Sequence, residues 1–447
     1  MGSVASALRE RGFVVTGSDE NIYPPMSTFL ETRGVALNQG YRAENLPERV
    51  DVVVIGNAIT RGNPEVEAVL NRKLYYLSLP ETLKQFFLRG RHNLVVTGTH
   101  GKTTTTALLA WILTSAGFKP SYMIGGIPKN LGQGALFNDS KYFVIEGDEY
   151  DTAFFDKRSK FIHYLPELLV MNNIEFDHAD IFHNLDEIKL SFRRLVNIVP
   201  QNGMVLLNGD DPNCVEVAQN CLAPLVEVGF SPNCAQRIRD VAYSAAGSCF
   251  TLGEDRFELP LIGEFNVRNA AMAISAAKFY QVPNEKIQKA LRKFEGIARR
   301  QEVRGEARGV KVIDDFGHHP TAITQTMHAL RHRYPGHRIW AVFEPRSNTT
   351  RRAVFQQQLP DAFSLADGVF ISEVAKLEQI PEAERLNPEE VVEAIAKSGR
   401  PAFYEKNAEA IIERLIPMVQ QNDVVAIFSN GGFDRIHEKL LARLSAT

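Results

Sequence analysis

Leu94-Val95-Val96-Thr97-Gly98-Thr99-His100-Gly101-Lys102-Thr103-Thr104-Thr105-Thr106 decides the fold of this chain. Leu94 to Val96 is an apolar run that predicts a buried strand. A Gly-rich turn breaks it, and Thr104 to Leu113 reads as a helix. Strand, glycine loop and helix in that order form the context of a phosphate-binding loop. Its glycines, Gly98 and Gly101, let backbone N–H groups approach phosphate oxygens, and the helix N-terminus adds its positive dipole end. Lys102 supplies a point charge for the terminal phosphates, and the Thr103 hydroxyl suits Mg²⁺. Val96 stands where the usual spacing has its first Gly. Taken alone, Gly-Lys-Thr is also an ordinary turn; the strand and helix around it favour phosphate.

The bulk of the chain sets the class. Its 447 residues are too many for one core and predict several domains. Hydrophobic residues make up 44% and charged residues 23%, as in ordinary globular proteins. The net charge of −3 gives no basic field for nucleic acid or an anionic membrane, so small-molecule substrates are expected. No apolar run approaches the roughly 18 residues of a membrane span. The cysteines, Cys214, Cys221, Cys234 and Cys249, form no C-x-x-C pair and read as reduced thiols of a cytoplasmic protein.

Three blocks are expected: residues 1–89, 90–298 and 299–447. In the first, Phe13 to Val15 and Val52 to Ile55 read as buried strands, with a helical stretch at Glu65 to Leu70. In the second, strands are expected at Tyr142 to Glu146 and Leu168 to Met171, and helices at Val267 to Phe279 and Glu285 to Phe294. The third repeats the rhythm with strands Val310 to Ile313, Ile339 to Phe343, Gly368 to Ile371 and Val424 to Phe428. The pattern is α/β with parallel strands.

Polar clusters follow several of these strands, where open parallel sheets place ligands. Glu146-Gly147-Asp148-Glu149-Tyr150-Asp151 offers hard oxygen ligands for Mg²⁺, or a solvated acidic turn. His178, within Asn172-Asn173-Ile174-Glu175-Phe176-Asp177-His178-Ala179-Asp180, can ligate a second divalent ion or simply cap a helix. Asn266 and Asn269 open the Ala-rich helix three residues apart. Their carboxamides suit an adenine edge, and Asn266 equally suits a cap. Arg299-Arg300, Asp314-Asp315-Phe316-Gly317-His318-His319-Pro320, Glu344-Pro345-Arg346-Ser347-Asn348-Thr349 and Ser429-Asn430-Gly431-Gly432 suggest a second ligand face in the third block. Arg346 is its candidate carboxylate clamp. In the first block, Gly17-Ser18-Asp19 is either a plain turn or an acidic ribose contact after a strand.

Together these residues resemble the Mur ligase family, the ATP-dependent amide-bond ligases of peptidoglycan metabolism. Thr97–Thr104 is similar to that family's ATP loop, Glu146–Glu149 to its magnesium motif and Asn172–His178 to its metal-histidine motif. Asn266–Asn269 and Asp314–Pro320 complete the set. The resemblance implies a Rossmann-like N-terminal domain for a UDP-sugar, a central P-loop ATPase-like domain and a C-terminal Rossmann-like domain for a peptide. It implies ATP binding at Gly98, Thr99, His100, Gly101, Lys102, Thr103, Thr104, Asn269, Arg300, Asp315 and His318. Mg²⁺ falls to Thr103, Glu146 and His178, and catalysis to Lys102, Glu146, His178 and Arg300. UDP-sugar contacts fall to Ser18, Asp19 and Asn57, and peptide contacts to Arg346, Ser347 and Asn348.

Asp314–Pro320 has the form found in the branch that uses UDP-N-acetylmuramate. Tyr23–Ser27, Gly56–Pro64, Phe154–Lys160, Glu344–Thr349 and Ser429–Phe433 resemble the members that take the murein tripeptide L-alanyl-γ-D-glutamyl-meso-diaminopimelate in peptidoglycan recycling. The alanine-adding members usually carry a different arginine-rich string at Glu344–Thr349, which favours the tripeptide. Free L-alanine as acceptor is the alternative, and a nucleotide-gated binding protein is a further one. The implied partners are small molecules, without nucleic acid or membrane, on a bacterial cytoplasmic monomer or homodimer. Two departures stand out. The family's N-terminal domain begins with a strand and Gly-rich turn, whereas Met1-Gly2-Ser3 corresponds to that turn or just past it, so the first strand is expected upstream of Met1. Many members also carry a carbamylated lysine after the metal histidine. This chain offers Lys189 and Arg193 there, arginine cannot take that role, and none is assigned.

Overall fold

The computed structural model describes residues 1–446. A ten-stranded sheet organises the middle of the chain. His92–Thr97 lies at its centre, paired in parallel with Leu168–Met171 on one side and Tyr142–Glu146 on the other. Met204–Asn208 and Leu225–Gly229 extend one wing, and Ser121–Met123 the other, all parallel. The far edge turns antiparallel through Gln236–Ser244, Gly247–Leu252 and Asp255–Leu259. The chain leaves His92–Thr97 toward one wing and later returns to the other. That reversal opens a crevice at the carboxyl ends of the strands, where ligands bind in open α/β sheets.

The central strands are buried on both faces, which explains their unbroken apolar sequences. Leu94, Val96, Val144 and Val170 face one core, and Val95, Ile145, Leu169 and Met171 the other. Helix Lys102–Ser115 covers the first face with the Ala-rich helix Glu264–Phe279 packed beside it. The alanines let the two approach closely, so the start of each helix reaches the same crevice.

The C-terminal part holds a six-stranded sheet in the order Glu302–Ala307, Val310–Asp315, Val424–Phe428, Ile339–Phe343, Gly368–Ser372, Ala402–Glu405. Only its first pair is antiparallel. Asp315 and Phe343 both register with Phe428, so the segments after these three strands emerge together.

The N-terminal part contains two separate parallel pairs, Thr16–Asp19 with Ala36–Gln39 and Val53–Ile55 with Tyr76–Ser78. The expected strand at Phe13 to Val15 is not formed: it starts instead at Thr16, and Val14 is 90% exposed. An apolar triplet becomes a strand only when a neighbour accepts its backbone hydrogen bonds, and pairing here begins at Thr16 with Ala36. All four cysteines are free thiols. Among the described residues no helix is long and apolar enough to cross a membrane.

Candidate active site

The phosphate loop occupies the crevice. Gly98 (φ +127°) and Gly101 (φ +78°) adopt backbone conformations that L side chains rarely reach. A Cβ on Gly98 would press on Asn172 and Asn173, and one on Gly101 would collide with Asn269 Oδ1. The loop is tied to the next strand end: Thr99 N donates to Asn173 O (3.0 Å) and His100 N to Asn173 Oδ1 (2.7 Å). Gly101→Ala is therefore expected to weaken nucleotide binding at least about tenfold, through strain and displacement of Asn269. Titration calorimetry with ADP checks this, and unchanged affinity would refute the fit.

Register brings the acidic motif alongside. Val96 pairs with Glu146 and Thr97 with Met171, so three strand ends deliver the three motifs to one place. Thr103 Oγ1 donates to Glu146 Oε1 (3.0 Å), and Gly125 N to Glu146 Oε2 (2.7 Å). Burial pushes the Glu146 carboxyl above its usual range despite the opposing Gly125 bond and the charges of Lys102 and Arg300. A buried carboxylate beside a hydroxyl is a hard-oxygen donor set. A small divalent cation would relieve its desolvation, so the pair fits Mg²⁺.

Lys102 lies against a different acid. Its Nζ contacts Glu149 Oε2 and Oε1 at 2.8 and 3.0 Å, with Glu149 only 2% exposed. His178 Nε2 meets Glu149 Oε1 at 2.9 Å. Burial alone would lower the His178 pKa, but the hydrogen bond and charge of Glu149 outweigh it and raise it. Glu149 moves the opposite way: burial opposes ionisation, yet Lys102 and His178 hold its carboxyl below the usual range. Asp148, Glu149 and His178 present ligand atoms within 4.8 Å of one another. His178 is thus grouped with Glu149 and Asp148, whereas Glu146 makes its hydrogen bonds to Thr103 and Gly125.

The C-terminal domain closes the crevice. One cavity is lined by residues 99–104, Glu146, His178, Asn266, Asn269, Arg300, Asp315 and His318. Asn266 bonds Ile262 O (2.9 Å), whereas Asn269 Nδ2 is buried without a partner, as a donor awaiting an acceptor would be. The Arg300 guanidinium stacks 5.0 Å from the Phe316 ring. Asp315 accepts from Gln301 N (2.9 Å) and Gly317 N (2.7 Å), yet its burial keeps the carboxyl above the usual range. Burial lowers the His318 pKa, which favours the neutral imidazole.

The remaining candidates lie outside this cavity. Ser18 and Asp19 end one N-terminal strand, and Asn57 follows another. Ser18 Oγ accepts from Asn45 (3.3 Å), and Asp19 from Asn21 N (3.0 Å). Arg346 stacks across Gly431 with its head half exposed and 3.4 Å from Glu344. Ser347 bonds Thr350, and Asn348 bonds Asp180, so both side chains already have partners within the protein. Lys189 is largely buried on Glu216 (2.6 Å), which Arg193 also contacts.

Sequence reading passed over Glu149 as the partner of Lys102, and over Glu175. The Glu175 carboxylate lies 3.4 Å from His100 and accepts from Thr321 Oγ1 (2.7 Å), linking the phosphate loop to the C-terminal domain. The position of Glu149 in the acidic run was the only available signal.

A glycine-rich strand–helix loop, a Thr–Glu pair that fits a small cation and a second acidic–histidine group under a second α/β domain have the make-up of a nucleotide-dependent phosphoryl-transfer scaffold. The particular family follows from comparison with known proteins. Residues 1–91 match the Mur ligase family catalytic domain, 96–277 the Mur ligase middle domain and 299–431 the Mur ligase glutamate ligase domain. The chain belongs to the Mur ligase family. It is 43% identical, over 100% of its length and 96% of the relative's, to UDP-N-acetylmuramate–L-alanyl-γ-D-glutamyl-meso-2,6-diaminoheptandioate ligase of Escherichia coli (strain K12). Identity to UDP-N-acetylmuramate–L-alanine ligase of Syntrophus aciditrophicus is 30%, over 99% of this chain and 91% of that protein. The crystal structure of a murein peptide ligase from Psychrobacter arcticus superposes with a TM-score of 0.71 at 35% identity, covering 100% of this chain and 97% of that one.

Proposed function

We propose that this protein is the ATP-dependent ligase that joins L-alanyl-γ-D-glutamyl-meso-diaminopimelate to UDP-N-acetylmuramate in peptidoglycan recycling. The observation that carries the reaction class is the meeting of Lys102, the Thr103–Glu146 pair and the Glu149–His178 pair at one switch point. The full-length identity to the E. coli enzyme supports the choice of substrates.

The chemistry follows from charge. A lactate carboxylate oxygen of UDP-N-acetylmuramate attacks the γ-phosphorus of ATP, the bond to the β–γ bridging oxygen breaks, and ADP leaves. The tripeptide amine then attacks the acyl carbon, the bond from that carbon to the bridging phosphate oxygen breaks with its electron pair leaving on phosphate, and the amine proton passes to that phosphate or to water. Two anions must meet in the first step, so the site has to supply positive charge. Lys102 and Arg300 bring it to the terminal phosphates. Thr103 with Glu146, and His178 with Glu149 and Asp148, would hold Mg²⁺, which supplies charge neutralisation between triphosphate and carboxylate. The Asn269 donor suits an adenine ring nitrogen, and neutral His318 the ribose. Seating the C-terminal domain over this crevice shields the acyl phosphate from water.

Three domains divide the substrates, with boundaries proposed near residues 89 and 298. Ser18, Asp19 and Asn57 stand at or just after strand ends for the UDP-sugar. In the segment after Ile339–Phe343, Arg346 has the exposed fork to clamp a tripeptide carboxylate. Acceptor choice is tested by phosphate release with ATP, Mg²⁺ and UDP-N-acetylmuramate. Turnover is expected with the tripeptide and not with L-alanine. Turnover with L-alanine alone would move the protein to the alanine-adding branch. Release independent of UDP-N-acetylmuramate would overturn the ligase reading.

A further inference from the structure

We infer that Thr349, on the C-terminal domain, is a positioning residue for His178 of the central domain; the inference rests on the proposed role of His178. His178 has φ +56°, a conformation that costs a non-glycine residue about 1–3 kcal/mol and persists only where the surroundings enforce it. Much of the enforcement comes from another domain. Thr349 Oγ1 donates to Asp177 Oδ1 (2.7 Å) and accepts from Ala179 N (3.3 Å). One hydroxyl therefore grips the chain on both sides of His178. The contact is dry, with Thr349 1% and Asp177 4% exposed.

Neighbouring side chains reinforce the grip. Asn348 Nδ2 donates to Asp180 Oδ2 (2.8 Å), and Tyr150 OH donates to the same oxygen (2.9 Å). The Tyr150 ring stands edge-on to the His178 imidazole, with centroids 4.4 Å apart. Arg351 Nη2 donates to Asn348 Oδ1 (2.7 Å), which fixes the amide so that its NH₂ faces Asp180. The Ser347–Thr350 hydroxyl contact (2.8 Å) folds the segment that presents Asn348 and Thr349. Seating the C-terminal domain and aiming His178 at Glu149 are thus one event. The segment that follows strand Ile339–Phe343 reports closure to the metal-side histidine.

The test compares Thr349→Val, which keeps the shape and removes the hydroxyl, with Thr349→Ser, which keeps the hydroxyl. His178→Ala runs in parallel, and thermal unfolding verifies that each variant is folded. Losing a hydrogen bond to a charged group predicts a fall in kcat of about 10- to 100-fold for Thr349→Val. KM for ATP is expected to move less than about threefold, because the phosphate loop is untouched. Thr349→Ser should restore kcat to within about threefold of wild type. Wild-type kcat in Thr349→Val, or equal losses in the Val and Ser variants, would overturn the inference. Wild-type kcat in His178→Ala would instead overturn the reading of the site on which it rests.

Discussion

Lys102→Ala is expected to lower turnover about 100- to 1,000-fold, the usual cost of removing one preorganised electrostatic contact from a transition state. Lys102 is the loop's own cation, at the start of helix Lys102–Ser115, and among the described residues no other lysine lines the cavity. The substitution also has a folding cost. It leaves Glu149 buried with only His178 as counter-charge, and breaking a buried pair from one side costs up to about 3–5 kcal/mol. Lower stability and lost catalysis would then be confounded in the single variant. A double variant, Lys102→Met with Glu149→Gln, separates them, because removing both charges is close to neutral for stability. Steady-state phosphate release and thermal unfolding are the measurements. The double variant should unfold near the wild-type temperature and remain inactive. Wild-type-like turnover in either would refute the role of Lys102.

The strands that were legible are inner strands of the two large sheets, buried on both faces and therefore apolar without interruption. Tyr142–Glu146, Leu168–Met171, Ile339–Phe343 and Val424–Phe428 fall where the sequence placed them. Phe13 to Val15 shows the limit of that signal. Its apolar character allows a strand, but pairing decides, and the ladder begins at Thr16. The hairpin edge from Gln236 to Leu259 was missed for the converse reason. One of its faces is open to water, so Gln236-Arg237-Ile238-Arg239-Asp240 carries no unbroken apolar run. At the site, the convergence of Lys102, Thr103 and Glu146 on one crevice was legible because a strand–loop–helix turn and the end of a neighbouring strand place them locally. Which of four carboxylates reaches Lys102 is set by the path of the chain after Gly147, and spacing cannot give it. Thr349 and Asp177 are 172 residues apart, and Thr321 and Glu175 are 146 apart. Contacts across domains leave no periodic trace, so both were invisible in the sequence.

Glu149→Gln is expected to uncouple nucleotide binding from the divalent ion. Lys102 is neutralised by Glu149 at 2.8 Å, and the carboxylates of Glu146 and Asp148 stand nearby. A triphosphate entering without a cation must take Lys102 from Glu149, leaving that carboxylate buried and facing the new charge. A divalent ion arriving with the nucleotide removes the conflict, since the Glu149 carboxylate then has a positive partner in place of Lys102. Wild-type affinity for ADP should therefore fall steeply when the metal is removed by EDTA. In Glu149→Gln, the released Lys102 remains free for phosphate, so metal-free affinity should rise about tenfold, or roughly 1.4 kcal/mol. Affinity in saturating Mg²⁺ should change less, and turnover should fall because His178 loses its carboxylate partner. Titration calorimetry with ADP, with and without Mg²⁺, reads both limits. An unchanged ratio between them would show that Glu149 does not compete for Lys102. Absence of ADP binding to the wild type in saturating Mg²⁺ would count instead against the crevice as the nucleotide site. The distinction matters for mechanism, because a lysine held by a carboxylate until the metal nucleotide arrives cannot attract a metal-free anion into the crevice. Order of binding would then be written into one buried ion pair.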